Sequence, residues 1–156
     1  MSAQKIRRIV AIGVVASVAA LIAPLSIGVA SASASAKREK LHVTKECSQY
    51  NGTAGSFCTI TSSNLLRILV GSTVLYDQAA GIPKDMLDSN VVLDAGNGDR
   101  AVGRCTLDFS TGLGLCTFSD GTGRFSGFQA RVEVSYLGGP DWAWDGTYSF
   151  TPRADR

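Results

Sequence analysis

The segment from Arg100 to Ser119 reads as two short strands joined by a Gly-containing turn, with one cysteine in each strand. Two such runs around a compact tip are a hairpin signal. With Ser110 and Thr111 at the tip, Phe109 faces Gly112, Leu107 faces Gly114 and Cys105 faces Cys116. Directly opposed residues on antiparallel strands hold their Cβ atoms roughly 4.5 to 5.5 Å apart, close to what a disulfide requires. A slip of one residue would turn the two cysteines to opposite faces. The hairpin therefore commits this part of the chain to antiparallel sheet with a covalent staple across it.

Whether that staple forms depends on the compartment, and the N-terminus bears on this. Lys5, Arg7 and Arg8 precede an apolar run from Ile9 to Ala23, and small residues alternate from Ala30 to Ala36 before charge begins at Lys37. A basic start, an apolar centre and small-x-small cleavage positions are the pattern of a secretory signal. The apolar run falls short of the roughly 20 residues that span a bilayer, so residues 1–36 are expected to be removed, leaving no stable membrane anchor and an extracellular protein. In an exported domain an even number of cysteines reads as disulfides. Cys47 and Cys58 have the same spacing as Cys105 and Cys116, so the pairs Cys47–Cys58 and Cys105–Cys116 are favoured among the three connectivities. The four cysteines include no C-x-x-C, and His42 is the sole histidine, so no metal site is expected.

Loss of Lys5, Arg7 and Arg8 with the signal lowers the 15 basic residues to 12, against 13 acidic ones. No basic patch is left to bind nucleic acid, and the charged run over residues 37–46 reads as a flexible, solvated N-terminal segment, while Leu41 to Cys47 also reads as a first strand and Gly55 to Ile60 as a second. Residues 47–152 then form one small domain, with 153–156 as a tail.

Along that domain, short apolar runs are broken by Gly, Asn, Asp and Pro with no sustained helical periodicity, which predicts an all-β fold. Leu65 to Tyr76 is expected to be one long strand bent at Gly71, or two strands in one, and Asp77 to Asp88 a loop. From Phe128 to Tyr136 the alternation is strict: Phe128, Ala130, Val132, Val134 and Tyr136 share a buried face. In the last strand Trp142, Trp144, Tyr148 and Phe150 share a face, with Gly146 leaving space among them. Closing such a sheet would bury these aromatics and remove its edges.

Gly71 to Asp77, Gly103 to Leu107, Leu115 to Phe128 and Trp144 to Phe150 resemble the allene oxide cyclase barrel-like domain of bacterial secreted proteins, a barrel shared with plant allene oxide cyclases and dirigent proteins. The resemblance spans about Cys47 to Pro152, its most specific motifs being Gly121-Thr122-Gly123-Arg124-Phe125-Ser126-Gly127-Phe128 and Trp144-Asp145-Gly146-Thr147-Tyr148-Ser149-Phe150. It implies a single antiparallel eight-stranded barrel with an apolar cavity, and room for a homo-oligomer. The cyclases fold a reactive fatty-acid epoxide into a ring, and dirigent proteins orient phenoxy radicals. The cyclases' catalytic polar residues do not map onto this chain one by one.

No Ser-His-Asp set, G-x-S-x-G, H-E-x-x-H or phosphate loop is present, which argues against hydrolysis and phosphoryl transfer. Asp77, Asp94, Asp108 and Asp145, near apolar strand ends, are the candidate general acids, although solvated turn roles are commonest for such carboxylates. The candidate ligand contacts are Tyr76, Phe128, Tyr136, Trp142, Trp144, Tyr148 and Phe150, with no cofactor. Three expectations follow: a barrel that binds a small apolar or aromatic ligand or a partner, a cyclase or isomerase that templates a reactive substrate, or an interaction module with a filled core.

Overall fold

The structure is a computed structural model that describes residues 36–81 and 83–151. The expected signal segment, apart from Ala36, and the tail at 153–156 lie outside the described residues. Eight strands follow in order: β1 (Glu39–Glu46), β2 (Phe57–Ser63), β3 (Thr73–Tyr76), β4 (Met86–Asp94), β5 (Arg100–Asp108), β6 (Leu113–Thr122), β7 (Phe128–Gly138) and β8 (Asp141–Phe150). Each pairs antiparallel with the next, and β8 pairs with β1 to close the barrel. A closed barrel leaves no open edge, so every strand has two backbone partners.

The hairpin register is the expected one: Cys105 pairs with Cys116 and Leu107 with Gly114. Both disulfides form, Cys47–Cys58 and Cys105–Cys116, with Cα atoms 4.2 and 4.1 Å apart. Among the described residues the one helical element is a turn of 3-10 helix at Gly123–Phe125.

Most of the segment read as a flexible, charged lead is the closing strand, which is the first strand expected from Leu41 to Cys47 begun two residues earlier and ended one residue earlier. Glu39 to Glu46 pairs residue by residue with Tyr148 back to Asp141. Its alternation carries the reason: Leu41, Val43 and Lys45 point inward at 2, 0 and 3 % exposure, while Lys40 and His42 point to water. Its charges are therefore mostly the wet face of a strand, and Lys45 is the exception.

Two further expectations need correction. Within Leu65 to Tyr76 only Thr73–Tyr76 is extended. Leu65 and Ile68, three apart, are both buried because a turn joins them, Ile68 donating its N–H to the Leu65 carbonyl at 2.9 Å, and Gly71 follows with a φ of +88° that suits glycine. Tyr136 is 51 % exposed instead of buried. The β7–β8 register shifts between Tyr136 and Gly138, so the alternation that holds through Val134 ends at the barrel rim.

The strands run so that the β1–β2, β3–β4, β5–β6 and β7–β8 connections share one end of the barrel, and the β2–β3, β4–β5 and β6–β7 connections share the other. The second end is packed. Phe128 lies 5.4, 6.3 and 5.3 Å, ring centre to ring centre, from Phe125, Tyr148 and Phe150. Over Phe150 the Arg67 guanidinium stacks at 4.0 Å and donates to the Arg124 carbonyl. The middle is filled by Trp144, Val43, Ile60, Val74, Val91, Leu93 and Val132, each at most 1 % exposed.

Gly146, expected to leave room among the aromatics, instead lets β7 come close. A Cβ there would stand 2.1 Å from the Arg131 carbonyl oxygen and 2.7 Å from the Val132 Cα. Both atoms are backbone, so the wall itself would have to move. Gly146→Ala should cost about 1–3 kcal/mol, as overpacking in a tight core does, and lower the melting temperature by roughly 5–15 °C. Calorimetry showing an unchanged transition would refute this account of the β7–β8 contact.

Candidate functional site

The open end of the barrel holds a recess of about 30 Å³. β1 brings Lys45 to its floor, β3 brings Tyr76, and β8 brings Trp142. Tyr50 comes from the β1–β2 connection and Phe109 from the β5–β6 turn, and both disulfides, Leu87, Thr106, Leu107 and Val134 complete the lining. That volume holds one or two water molecules or a small functional group, well below the roughly 300–1,000 Å³ of a site that engulfs a whole drug-sized ligand. Hollows of about 160, 330 and 380 Å³ also occur on the outside of the barrel, each with exposed residues in its lining, among them Arg131, Arg67 and Arg104.

Lys45 decides the character of the recess. Its position opposite Ile60 on β2 and Trp142 on β8 turns the side chain inward. Nζ donates to Tyr76 Oη at 2.5 Å and lies 4.6 Å from the centre of the Trp144 ring. Among the described residues the ion pairs join Lys37–Glu39, His42–Asp145, Arg100–Asp94, Arg104–Asp88 and Arg124–Asp99, none of them reaching Lys45. Burial without a carboxylate lowers the Lys45 pKa from 10.5 to about 7. Burial, and then the charge that Tyr50 would carry, push the Tyr76 phenol well above its ordinary range. Burial also raises Tyr50. Near neutrality the recess thus offers an amine that is about half uncharged, beside two phenols.

Two polar atoms in this region have no hydrogen-bond partner among the described residues: Tyr50 Oη, which belongs to the lining, and Trp144 Nε1 just below it. Tyr50 packs edge-on against Tyr76 at 5.1 Å and stacks with Phe109 at 6.5 Å, so aromatic faces wall the amine. Among the described residues no group of three or more His, Cys, Asp or Glu is placed to hold a metal ion.

The expected ligand contacts divide between the ends. Tyr76 and Trp142 line the recess, and Trp144 stacks under Lys45 from the barrel interior. Tyr136 sits on the outer rim, 4.9 Å from the Trp142 ring, with its hydroxyl donating to the Gly139 carbonyl. Phe128, Tyr148 and Phe150 belong to the packed far end, where the Tyr148 hydroxyl donates to Glu39. The four aspartates stay outside the recess: Asp94 pairs with Arg100, Asp145 with His42, Asp108 accepts from Ser110, and Asp77 is exposed. Sequence reasoning missed Lys45, Tyr50 and Phe109. Lys45 had a signal, since continuing the Leu41–Val43 alternation points it inward. Tyr50 and Phe109 lie in connections, where no periodicity marks them.

No protein-family model matches this chain, and neither a curated protein nor a solved structure does.

Proposed function

We propose that this chain is an exported barrel of the allene oxide cyclase-like and dirigent-like kind that binds a small aromatic group at the mouth of the barrel, without turning it over. The observation that carries the reading is the buried Lys45 amine ringed by Tyr50, Tyr76, Phe109 and Trp142. Aromatic walls give a flat apolar group offset-stacked contact, and the amine and phenols fix its polar end. Export is supported by the basic, apolar and small-residue order of residues 1–36 and by two disulfides, which persist in oxidising compartments. A templating cyclase is less well supported, because folding a long substrate needs interior volume that Trp144 and its neighbours occupy.

Trp142 and Trp144 are the only two tryptophans in the chain, one in the recess wall and one beneath Lys45. Titration with phenol, indole or benzyl alcohol should therefore change intrinsic fluorescence saturably. Tyr50→Ala, which removes one wall, should weaken that binding about fivefold to tenfold, the usual worth of one aromatic contact. Linear, unsaturable quenching by all three probes would overturn the reading.

A further inference from the structure

We propose that the Lys45 amine captures small aromatic aldehydes as an imine, the formyl group entering the recess and the ring resting on Tyr50, Phe109 and Trp142. This rests on the reading of the mouth as a site for an aromatic group, and adds the substrate class. Three observations carry it. Lys45 is 3 % exposed at an inward barrel position, yet among the described residues none of the ion pairs reaches it; its Nζ meets Tyr76 Oη and the face of Trp144, with further aromatic rings around it. Because Nζ donates a hydrogen to Tyr76 Oη, the lone pair of the uncharged amine is left for a carbon electrophile. Tyr50 Oη, buried in the same recess with no partner among the described residues, is a ready donor to the oxygen or ring substituent of such a guest.

The step balances without a co-reactant. The Lys45 nitrogen attacks the carbonyl carbon, forming the C–N bond and a carbinolamine. The Tyr76 phenol hands its proton to the departing oxygen and takes one from nitrogen. The C–O bond breaks and water leaves with one hydrogen from the amine and one from Tyr76, which nitrogen's second hydrogen restores to the phenol, so that in net the amine has lost both. Burial supports the chemistry, since a desolvated lysine is the kind that reacts with carbonyls.

The test uses the mature, oxidised protein with benzaldehyde as probe and cyanoborohydride to reduce any imine, followed by intact mass and peptide mapping. The competing amines are Lys37, Lys40 and Lys84 and the N-terminus. At pH 7.5 Lys45 should be labelled at least about tenfold faster than any other lysine, because burial keeps most of it in the uncharged, nucleophilic form there. Tyr76→Phe should slow labelling severalfold more than it weakens the affinity for benzyl alcohol, which meets the same phenol but has no carbonyl to attack. Adducts confined to the exposed lysines, with benzyl alcohol still bound, would overturn the imine and leave the aromatic site standing; loss of both would overturn the two together. Lys45→Met serves as the control where it folds, and where it does not the wild-type peptide map decides.

Discussion

Loss of both disulfides is expected to leave this chain largely unfolded at ambient temperature. Each bridge closes a loop of 11 residues' separation, which by loop-closure entropy is worth about 2.5–3 kcal/mol, and the two loops do not overlap in sequence. Together they amount to roughly 5–6 kcal/mol, against a total of about 5–15 kcal/mol for ordinary domains. Reduction is the cleaner experiment, because Cys58, Cys105 and Cys116 are at most 2 % exposed and Cys→Ala would add a cavity cost. In urea, each lost bridge should lower the midpoint by about 1–2 M. The two bridges should differ at the mouth. Cys47–Cys58 clamps the connection that carries Tyr50, so breaking it alone should weaken aromatic binding more than breaking Cys105–Cys116, whose hairpin is already held by its own ladder. Equal binding by the two singly bridged forms would count against the role given to Tyr50.

How far the fold could be read in advance depended on which residues carry the alternation. At Cys105 and Cys116 the tip, the glycines and the cysteines all require one register, so the pairing was legible. Along β7 the period of two held from Phe128 to Val134 and failed at Tyr136, where a local register shift leaves no mark in residue type. β1 was legible only in part: Leu41 to Cys47 reads as a strand, but its wet face carries so many charges that the run from Lys37 also reads as a solvated tail, and the third inward residue is a lysine. The face shared by Trp142, Trp144, Tyr148 and Phe150 was legible, but not its division between ends. Eight residues at about 3.3 Å each put Trp142 and Phe150 roughly 26 Å apart along the strand, too far for one pocket. The site itself gathers Lys45, Tyr50, Tyr76, Phe109 and Trp142 from five places in the chain, and closure of β1 on β8 is what brings the first and the last together.

The stability of the barrel should climb as pH rises from 6 to 9, and Lys45 should be the cause. Its folded pKa, about 7, lies below the ordinary 10.5 expected of the unfolded chain. Between those values the unfolded chain holds a proton that the folded chain has released, so unfolding takes up a proton and becomes harder as pH rises. Below about pH 7 the folded state must bury a charged ammonium and the full cost applies. Integrated from pH 6 to 9, the difference is about 2–3 kcal/mol. The titratable groups facing Lys45 are Tyr76 from β3 and Tyr50 from the β1–β2 connection, and burial raises both, so neither phenol ionises in this window. Lys45→Met keeps the length of the side chain and removes the charge. It leaves Tyr76 Oη without its nitrogen partner, at about 1–3 kcal/mol, so the variant should be the more stable at pH 6 and lose that advantage by pH 9. Urea midpoints at pH 6, 7.5 and 9 for both proteins test the claim. Other titrating groups are common to the two and cancel in the comparison. Parallel profiles would mean that Lys45 keeps its proton when folded, and would remove the uncharged amine on which the chemistry of the mouth depends.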